Sequence, residues 1–104
     1  MAKLVVIYGA PKDAAAFDKH YFETHVPIAK GIPGLRRYEV NKGPIMTPAG
    51  PAPYHLMATL HFDDMAAIQN AFASPAGQAA AADVQGMGFE PGGVQMLIMD
   101  EREV

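Results

Sequence analysis

The chain has 104 residues and a formal net charge of −3, and it contains no cysteine. This length is typical of one domain, so we expect residues 1–104 to form a single domain with a modest core. Without cysteine the chain has no disulfides or thiolate chemistry, and this composition is compatible with the cytoplasm, where we expect the protein. The small negative charge, with Arg36-Arg37 as the only basic pair, argues against binding to nucleic acid or to an anionic membrane surface.

The first part of the chain predicts a strand followed by a helix. Residues 3–8 are apolar and rich in β-branched side chains, which indicates a strand, and the run is far shorter than the roughly 20 apolar residues of a membrane span. Asp13 is a suitable N-cap for a helix with an apolar stripe. Pro27 lacks a backbone donor and crowds the preceding turn, so we expect the helix to kink or end near residues 24–25.

The middle of the chain predicts two strands separated by a loop. Residues 35–42 read as the second strand. Residues 43–53 contain four prolines and two glycines, a composition that predicts a stiff loop and excludes a helix or a central strand. Residues 54–62 alternate as a third strand. One face would present Tyr54, Leu56, Ala58, Leu60 and Phe62, and the other would present His55, Met57, Thr59 and His61.

The last part of the chain predicts two helices and a strand. Asp63 is the expected N-cap of a helix with apolar residues at helical spacing. Ser74-Pro75 has the pattern of a cap followed by the first residue of a new helix, which would contain the alanine-rich residues 76–84. Residues 94–99 are apolar and predict the fourth strand.

The order of these elements is β-α-β-β-α-β, which predicts an α+β, ferredoxin-like fold with a four-stranded antiparallel sheet and both helical connections on one face. The first and last strands are apolar on both faces. We therefore expect a second copy of the chain to cover the helix-free face, giving a homodimer of the dimeric α/β-barrel type. The alternative is that these strands are hydrophobic throughout without a partner.

Two stretches resemble the EthD family: Phe-Asp-Lys-His-Tyr-Phe-Glu-Thr-His-Val-Pro-Ile-Ala-Lys at 17–30 and Ile-Pro-Gly-Leu-Arg-Arg-Tyr at 32–38. The most specific part is a tyrosine, a histidine four residues later and a proline two residues after that. The resemblance implies a dimeric α/β barrel in a superfamily that includes metal-free monooxygenases, isomerases and cyclases. It also implies a link to ether degradation beside an oxygenase. Such a resemblance supports a shared fold more strongly than a shared reaction.

His25 is the first candidate for a catalytic residue. Phe17, Tyr21 and His25 are four residues apart, which places them on the helix stripe that faces the sheet. An imidazole has an ordinary pKa of about 6.5, suited to proton transfer near neutral pH. The Tyr21 hydroxyl could orient this imidazole or polarise a substrate. The alternatives are a core histidine bonded to a backbone carbonyl freed by Pro27, and a core tyrosine with a solvated hydroxyl.

Six further residues are predicted to line a substrate pocket: Phe17, Tyr38, His55, Leu56, Ile68 and Phe72. No metal site is expected, because His20 and His25 would point about 140° apart on a regular helix. His55 and His61 would stand about 20 Å apart along a strand. No cofactor is expected, although a haem bound through one histidine stays open.

Two functions follow as hypotheses. The first is a cofactor-independent enzyme that acts on a small hydrophobic, cyclic or polyketide-like molecule, with His25 as acid or base. The second is a non-catalytic carrier of a hydrophobic ligand, or an accessory protein of an oxygenase system. A wet cleft in which His25 and a second donor converge would favour the enzyme. A pocket closed to solvent that holds no polar group besides His25 would favour the carrier.

Overall fold

Four antiparallel strands form one sheet with the helices on one of its faces. The computed structural model describes residues 1–104, and it confirms the predicted α+β, ferredoxin-like order. The sheet has the strand order β2-β5-β1-β6. Its strands are β1 (Ala2–Gly9), β2 (Arg37–Val40), β5 (Tyr54–Phe62) and β6 (Val94–Asp100), and a separate two-stranded sheet is formed by β3 (Met46–Thr47) and β4 (Gly50–Pro51). The helices are α1 (Ala14–His20), α2 (Val26–Lys30), α3 (Met65–Ala73) and α4 (Pro75–Gln85).

The core lies between the sheet and the helices. Strand β5 has the predicted bounds, and its alternate residues from Leu56 to Phe62 are buried. The same alternation on β1 turns Leu4, Val6 and Tyr8 toward the helices, where they meet side chains of α1 and α3. Since side chains alternate across a strand, the other residues of β1 and β5 lie on the helix-free face.

Of the two predicted outcomes at Pro27, a kink or an end of the helix near residues 24–25, the structure shows an irregular turn and not an end. Residues Tyr21–His25 form a π-helical turn that joins α1 to α2, and the chain remains helical to Lys30. The backbone N–H of Val26 donates to the carbonyl of Tyr21, five residues earlier, as it does in a π-helix. This wider turn accommodates a proline that lacks its own N–H donor, so the helix continues past Pro27.

The region between the second and third strands differs from its prediction in two ways. Strand β2 covers only Arg37–Val40, because the side-chain carbonyl of Asn41 accepts a hydrogen bond from the backbone N–H of Met57 at 2.8 Å. Part of the proline-rich stretch forms the short hairpin of β3 and β4 outside the central sheet. Gly50 permits this hairpin, since its φ of +136° favours glycine.

The sequence suggested Asp63 as the N-cap of α3, but the cap is Asp64. The Asp64 carboxylate accepts from the backbone N–H of Ala67 at 2.8 Å, whereas Asp63 pairs with the guanidinium of Arg36 at 2.8 Å. Ser74 caps α4 as predicted, with its hydroxyl oxygen accepting from the N–H of Gly77. None of these helices has the length and apolar character that crossing a membrane would require.

Strand β6 forms one edge of the sheet, and much of its surface is open. Met96, Leu97 and Ile98 are 44%, 44% and 45% exposed, so apolar side chains on both faces of the strand contact solvent. On the helix-free face Leu97 lies beside Val5, which lies in the central strand β1. An apolar edge strand of this kind is a surface that another chain can cover.

Candidate active site

Two histidines of the first helical segment meet one carboxylate. His25 Nδ1 lies 2.8 Å from Oδ2 of Asp83 in α4, and His20 Nε2 lies 2.9 Å from Oδ1 of the same residue. The His25 and Asp83 side chains are only 7% and 15% exposed, whereas His20 is 43% exposed. The expectation that His20 and His25 diverge was therefore wrong. It assumed a regular helix, and the π-turn brings residues five positions apart onto one side.

The carboxylate determines which ring nitrogens carry protons. An ionised carboxylate only accepts hydrogen bonds, so His25 donates from Nδ1 and His20 donates from Nε2. The remaining nitrogens are Nε2 of His25 and Nδ1 of His20, and neither has a hydrogen-bond partner in the chain. No buried side-chain nitrogen or oxygen lacks a partner, so Nε2 of the buried His25 must be reachable by water. Both free nitrogens can therefore accept a proton or a hydrogen bond.

A pair of tyrosine hydroxyls lies near the His25 ring. Tyr21 and Tyr38 are in contact through their hydroxyl oxygens at 2.6 Å, and the Tyr21 ring centroid is 5.1 Å from that of His25. Burial raises the pKa of Tyr21 well above the ordinary phenol value, and the Tyr38 hydroxyl raises it further. Burial also raises the pKa of Tyr38, while its hydrogen bond to Tyr21 lowers it. One hydroxyl of the pair donates to the other, so one of the two hydroxyl protons remains free.

These groups line a small space between the helices and the sheet, which we call the inner cavity. It has a volume of about 40 Å³, and its polar wall is made by His25, Tyr8, Tyr21 and Tyr38. The remaining wall is apolar or glycine and includes Phe72 and Met96. The inner cavity therefore combines a histidine that is hydrogen-bonded to a carboxylate with phenolic hydroxyls, and the rest of its lining is mainly apolar.

A second, larger space opens at one end of the sheet, and we call it the outer cleft. It has a volume of about 440 Å³ and lies between residues 9–13, the first turns of α1, and the connection from α4 to β6. Phe17 and Phe89 contribute aromatic walls, and their ring centroids are 5.6 Å apart. His20 lines the outer cleft and His25 lines the inner cavity, so Asp83 is hydrogen-bonded to one histidine from each of the two spaces.

His55 is not on the face that the strand alternation predicted. The pairing of β1 with β5 passes from Tyr8↔Leu56 to Gly9↔Tyr54, so His55 is the extra residue of a β-bulge. A bulge re-aims the side chain that it carries. The His55 ring packs edge-on against Phe17 at 5.4 Å, and its Nε2 lies 2.7 Å from Oδ1 of Asp18. Asp18, to which the sequence assigned no role, therefore has a partner.

The predicted pocket residues lie in several places. Tyr21, His25, Tyr38 and Phe72 line the inner cavity, and Phe17 lines the outer cleft. Leu56 and Ile68 pack in the core and line neither space. The part-buried bulge residue His55 also lines neither space. The side chains include no group of three or more potential ligands arranged to hold a metal ion.

Sequence reasoning missed Asp83 and the role of His20. Asp83 is the only charged residue between Asp64 and Glu90, in a helix otherwise made largely of alanine. An isolated carboxylate in such a helix could have indicated a buried partner, because an unpaired buried charge is costly. His20 offered no comparable signal, since its position depends on the π-turn.

Comparison with known proteins identifies two close relatives. The family model described as the EthD domain matches residues 10–87. An uncharacterized 11.0 kDa protein in the thcB-thcC intergenic region of Rhodococcus erythropolis is 43% identical over 104 residues, covering 100% of this chain and 98% of that protein. An ethyl tert-butyl ether degradation (EthD) family protein from Bacillus halodurans C-125 is 34% identical, with a TM-score of 0.87 and coverage of 98% and 99%.

A more distant structure shares the fold. SnoaB, a cofactor-independent oxygenase from Streptomyces nogalater, superposes with a TM-score of 0.68 over 99% of this chain and 94% of that chain. The two sequences are only 14% identical, so the likeness concerns the backbone architecture alone.

Proposed function

Because the chain belongs to the EthD family, we propose that it is a cofactor-independent acid/base enzyme acting on a small hydrophobic, cyclic or polyketide-like molecule. The proposal places it in the cytoplasm as one 104-residue domain, in a degradation or oxygenase-associated pathway. His25 is the proposed acid or base, and Tyr21 supports it. The fold is shared with an oxygenase that needs no cofactor, which makes chemistry by side chains alone a reasonable expectation.

One observation carries this proposal: the buried His25 donates from Nδ1 to Asp83 at 2.8 Å while its other nitrogen stays accessible. A carboxylate in this position fixes the tautomer of the imidazole and stabilises the imidazolium that forms when Nε2 accepts a proton. A histidine serving only to pack the core needs no such ionised partner, and burying the carboxylate costs free energy. The pairing therefore favours a chemical role over a packing role.

The tyrosine pair gives the site a second polar group. Because one hydroxyl of the Tyr21–Tyr38 pair donates to the other, the second hydroxyl proton remains available to a carbonyl or oxyanion in the inner cavity. Buried hydroxyls that stay protonated can stabilise charge that develops on oxygen. The presence of a hydroxyl donor beside His25 supports the enzyme hypothesis over a pocket with no polar group besides His25.

The test is the substitution His25→Asn, which keeps an N–H donor for Asp83 and removes Nε2. An untargeted mass spectrum of molecules carried through purification would first supply a substrate candidate. If His25 is catalytic, turnover falls by about two to four orders of magnitude, and the melting temperature stays within a few degrees. The matched control is His61→Asn, which changes a histidine bonded to Glu39 away from both spaces. A variant that is strongly destabilised yet turns over at the native rate contradicts the proposal.

A carrier or accessory function is the second candidate, and the outer cleft favours it. This cleft is about ten times larger than the inner cavity and is lined without His25. A carrier needs only such a cleft. The carrier function predicts that a co-purified ligand is recovered chemically unchanged and that His25→Asn leaves ligand binding intact.

We also propose that the protein works as a homodimer joined through its helix-free sheet face. Apolar side chains of β1, β5 and β6 form the centre of this face, and ion pairs such as Lys3–Glu101 at 3.8 Å lie at its edge. An apolar centre with a polar rim is typical of protein interfaces. Light scattering at micromolar concentration should give twice 11.1 kDa, and a persistent monomer that binds no hydrophobic dye would exclude the dimer.

A further inference from the structure

The two spaces differ about tenfold in volume. The inner cavity, at about 40 Å³, has room for a few water molecules, since each needs roughly 10 to 15 Å³ of such space. The outer cleft, at about 440 Å³, falls within the roughly 300 to 1,000 Å³ range of small-molecule sites. The outer cleft therefore has room for a whole ring, whereas the inner cavity has room only for one group of a larger molecule.

The outer cleft presents a base next to an aromatic wall. His20 donates from Nε2 to Asp83, so its Nδ1 is the nitrogen available to a ligand. Asp83 would stabilise the imidazolium formed when Nδ1 accepts a proton, as it does for His25 on its other side. Phe17 and Phe89, in edge-to-face contact at 5.6 Å, form a surface on which a flat ring can pack.

A cation lies at the rim of the same cleft. The Lys12 ammonium is 3.8 Å from the carboxylate of Glu90, and their side chains are 84% and 80% exposed. A pair so exposed contributes little stability and is easily exchanged. Lys12 is therefore available to pair with a negatively charged group of a ligand. That group would also repel the Glu90 carboxylate from Lys12.

We propose that the outer cleft binds a planar, conjugated weak acid, such as a phenol or an enol, and that His20 accepts its proton. The ring would lie against Phe17 and Phe89. The O–H bond breaks, the proton passes to Nδ1 of His20, and the oxygen keeps the electron pair as an anion near Lys12. This inference rests on the proposed acid/base function and assigns it a ligand class and a second base.

Binding of 4-nitrophenol tests the ligand class without any turnover. Its absorption moves to longer wavelength when it ionises, so binding and proton loss are read in one titration. The matched probe is 4-nitroanisole, its methyl ether, which has the same ring and no proton to give. We expect 4-nitrophenol to bind at least tenfold more tightly than 4-nitroanisole and to show the ionised band. Equal affinity of the two probes overturns the proposal.

Three variants locate the binding. His20→Gln keeps an N–H donor for Asp83 and lacks the basic Nδ1, so the ionised band of the bound probe should disappear. Ala16→Trp fills the outer cleft and should weaken binding at least tenfold. Ala15→Trp places the same ring on the same helix outside the cleft, and it should leave binding unchanged. Unaltered binding and ionisation in both His20→Gln and Ala16→Trp contradict the site.

Amide chemical shifts of the native protein give a reading that does not depend on any variant folding. Addition of 4-nitrophenol should move the amide signals of Gly86, Gly88 and Gly93, which line the cleft, and leave that of Gly50 in the distant hairpin unmoved. Movement confined to other residues overturns the assignment. If the probe binds here but His25→Asn leaves turnover intact, the proposed function fails while the ligand site stands.

Discussion

Asp83→Asn is the substitution that most directly tests how the site is organised. Asparagine keeps the shape of the side chain but has one acceptor oxygen and one amide donor, whereas two histidines now donate to the carboxylate at 2.8 and 2.9 Å. One histidine must lose its partner or turn to its other tautomer. If His25 changes, Nδ1 becomes the acceptor and Nε2 carries the proton, so the accessible nitrogen is no longer a base.

The size of the effect follows from burial. The His20 contact is half exposed and screened by water, so most of the loss comes from the buried His25 contact. A hydrogen bond to a charged buried group is worth about 1 to 3 kcal/mol, and this corresponds to a melting temperature about 5 to 20 °C lower in a domain of this size. Turnover should fall by about two to four orders of magnitude if Nε2 is the base.

Nitrogen-15 NMR of labelled histidine reads the tautomers, and a thermal melt reads the stability. The control is Asp63→Asn, which alters an aspartate of similar chemistry in an exposed pair with Arg36 and should change stability by less than about 1 kcal/mol. If the variant protein melts like the native one with His25 still protonated at Nδ1, then Asp83 does not organise the site and the reasoning is refuted.

Three further predictions concern the fold and its assembly. Gly77→Ala would place Cβ 1.9 Å from the carbonyl oxygen of Ala71, so the free energy of unfolding in a denaturant titration should fall by about 1 to 3 kcal/mol. Gly86→Ala is the control, because its Cβ would have contacts of 3.5 Å or more, and it should lower the free energy of unfolding far less. Burial raises the pKa of Tyr21, so the contribution of this residue to stability should be constant well below pH 10, where the folded and unfolded tyrosine are both neutral. Above that pH the unfolded state loses protons first, and stability should fall by up to about 1.4 kcal/mol per pH unit for this residue, less steeply in Tyr21→Phe; a melting temperature that is flat to pH 11 would contradict this. Met57→Asp on the helix-free face should shift light scattering from dimer to monomer or aggregate, and an unchanged dimer would exclude that face as the interface.

The sequence predicted those elements whose signals are local. Ser74 and Pro75 form a cap and a first helical turn by their own chemistry, and both were predicted correctly. The alternating strand of residues 54–62 was likewise predicted with its bounds. The choice between Asp63 and Asp64 as a cap was not local, because either carboxylate can cap a helix. Arg36, distant in sequence, decided it by pairing with Asp63.

The site was predicted only in part, since its geometry depends on a departure from regular periodicity. Counting in steps of four placed Tyr21 and His25 correctly on the buried side of the helix. The same counting separated His20 from His25 and so concealed their common partner. Strand alternation failed at His55 for a similar reason, because a bulge shifted the register by one residue. Both errors lie where a ring was brought against a carboxylate.

The π-turn explains why a proline helix and a histidine pair occur together. In a regular α-helix the ring of Pro27 would crowd the carbonyl four residues earlier, at Glu23, and leave it without a donor. One wider turn relieves that conflict, and its i to i−5 bond from Val26 to Tyr21 is the mark of the adjustment. The same turn rotates His25 back toward His20, so that one carboxylate of α4 can bond both rings. The irregularity thus does two things at once: it keeps the helix continuous past the proline, and it connects a histidine of the inner cavity to a histidine of the outer cleft through Asp83.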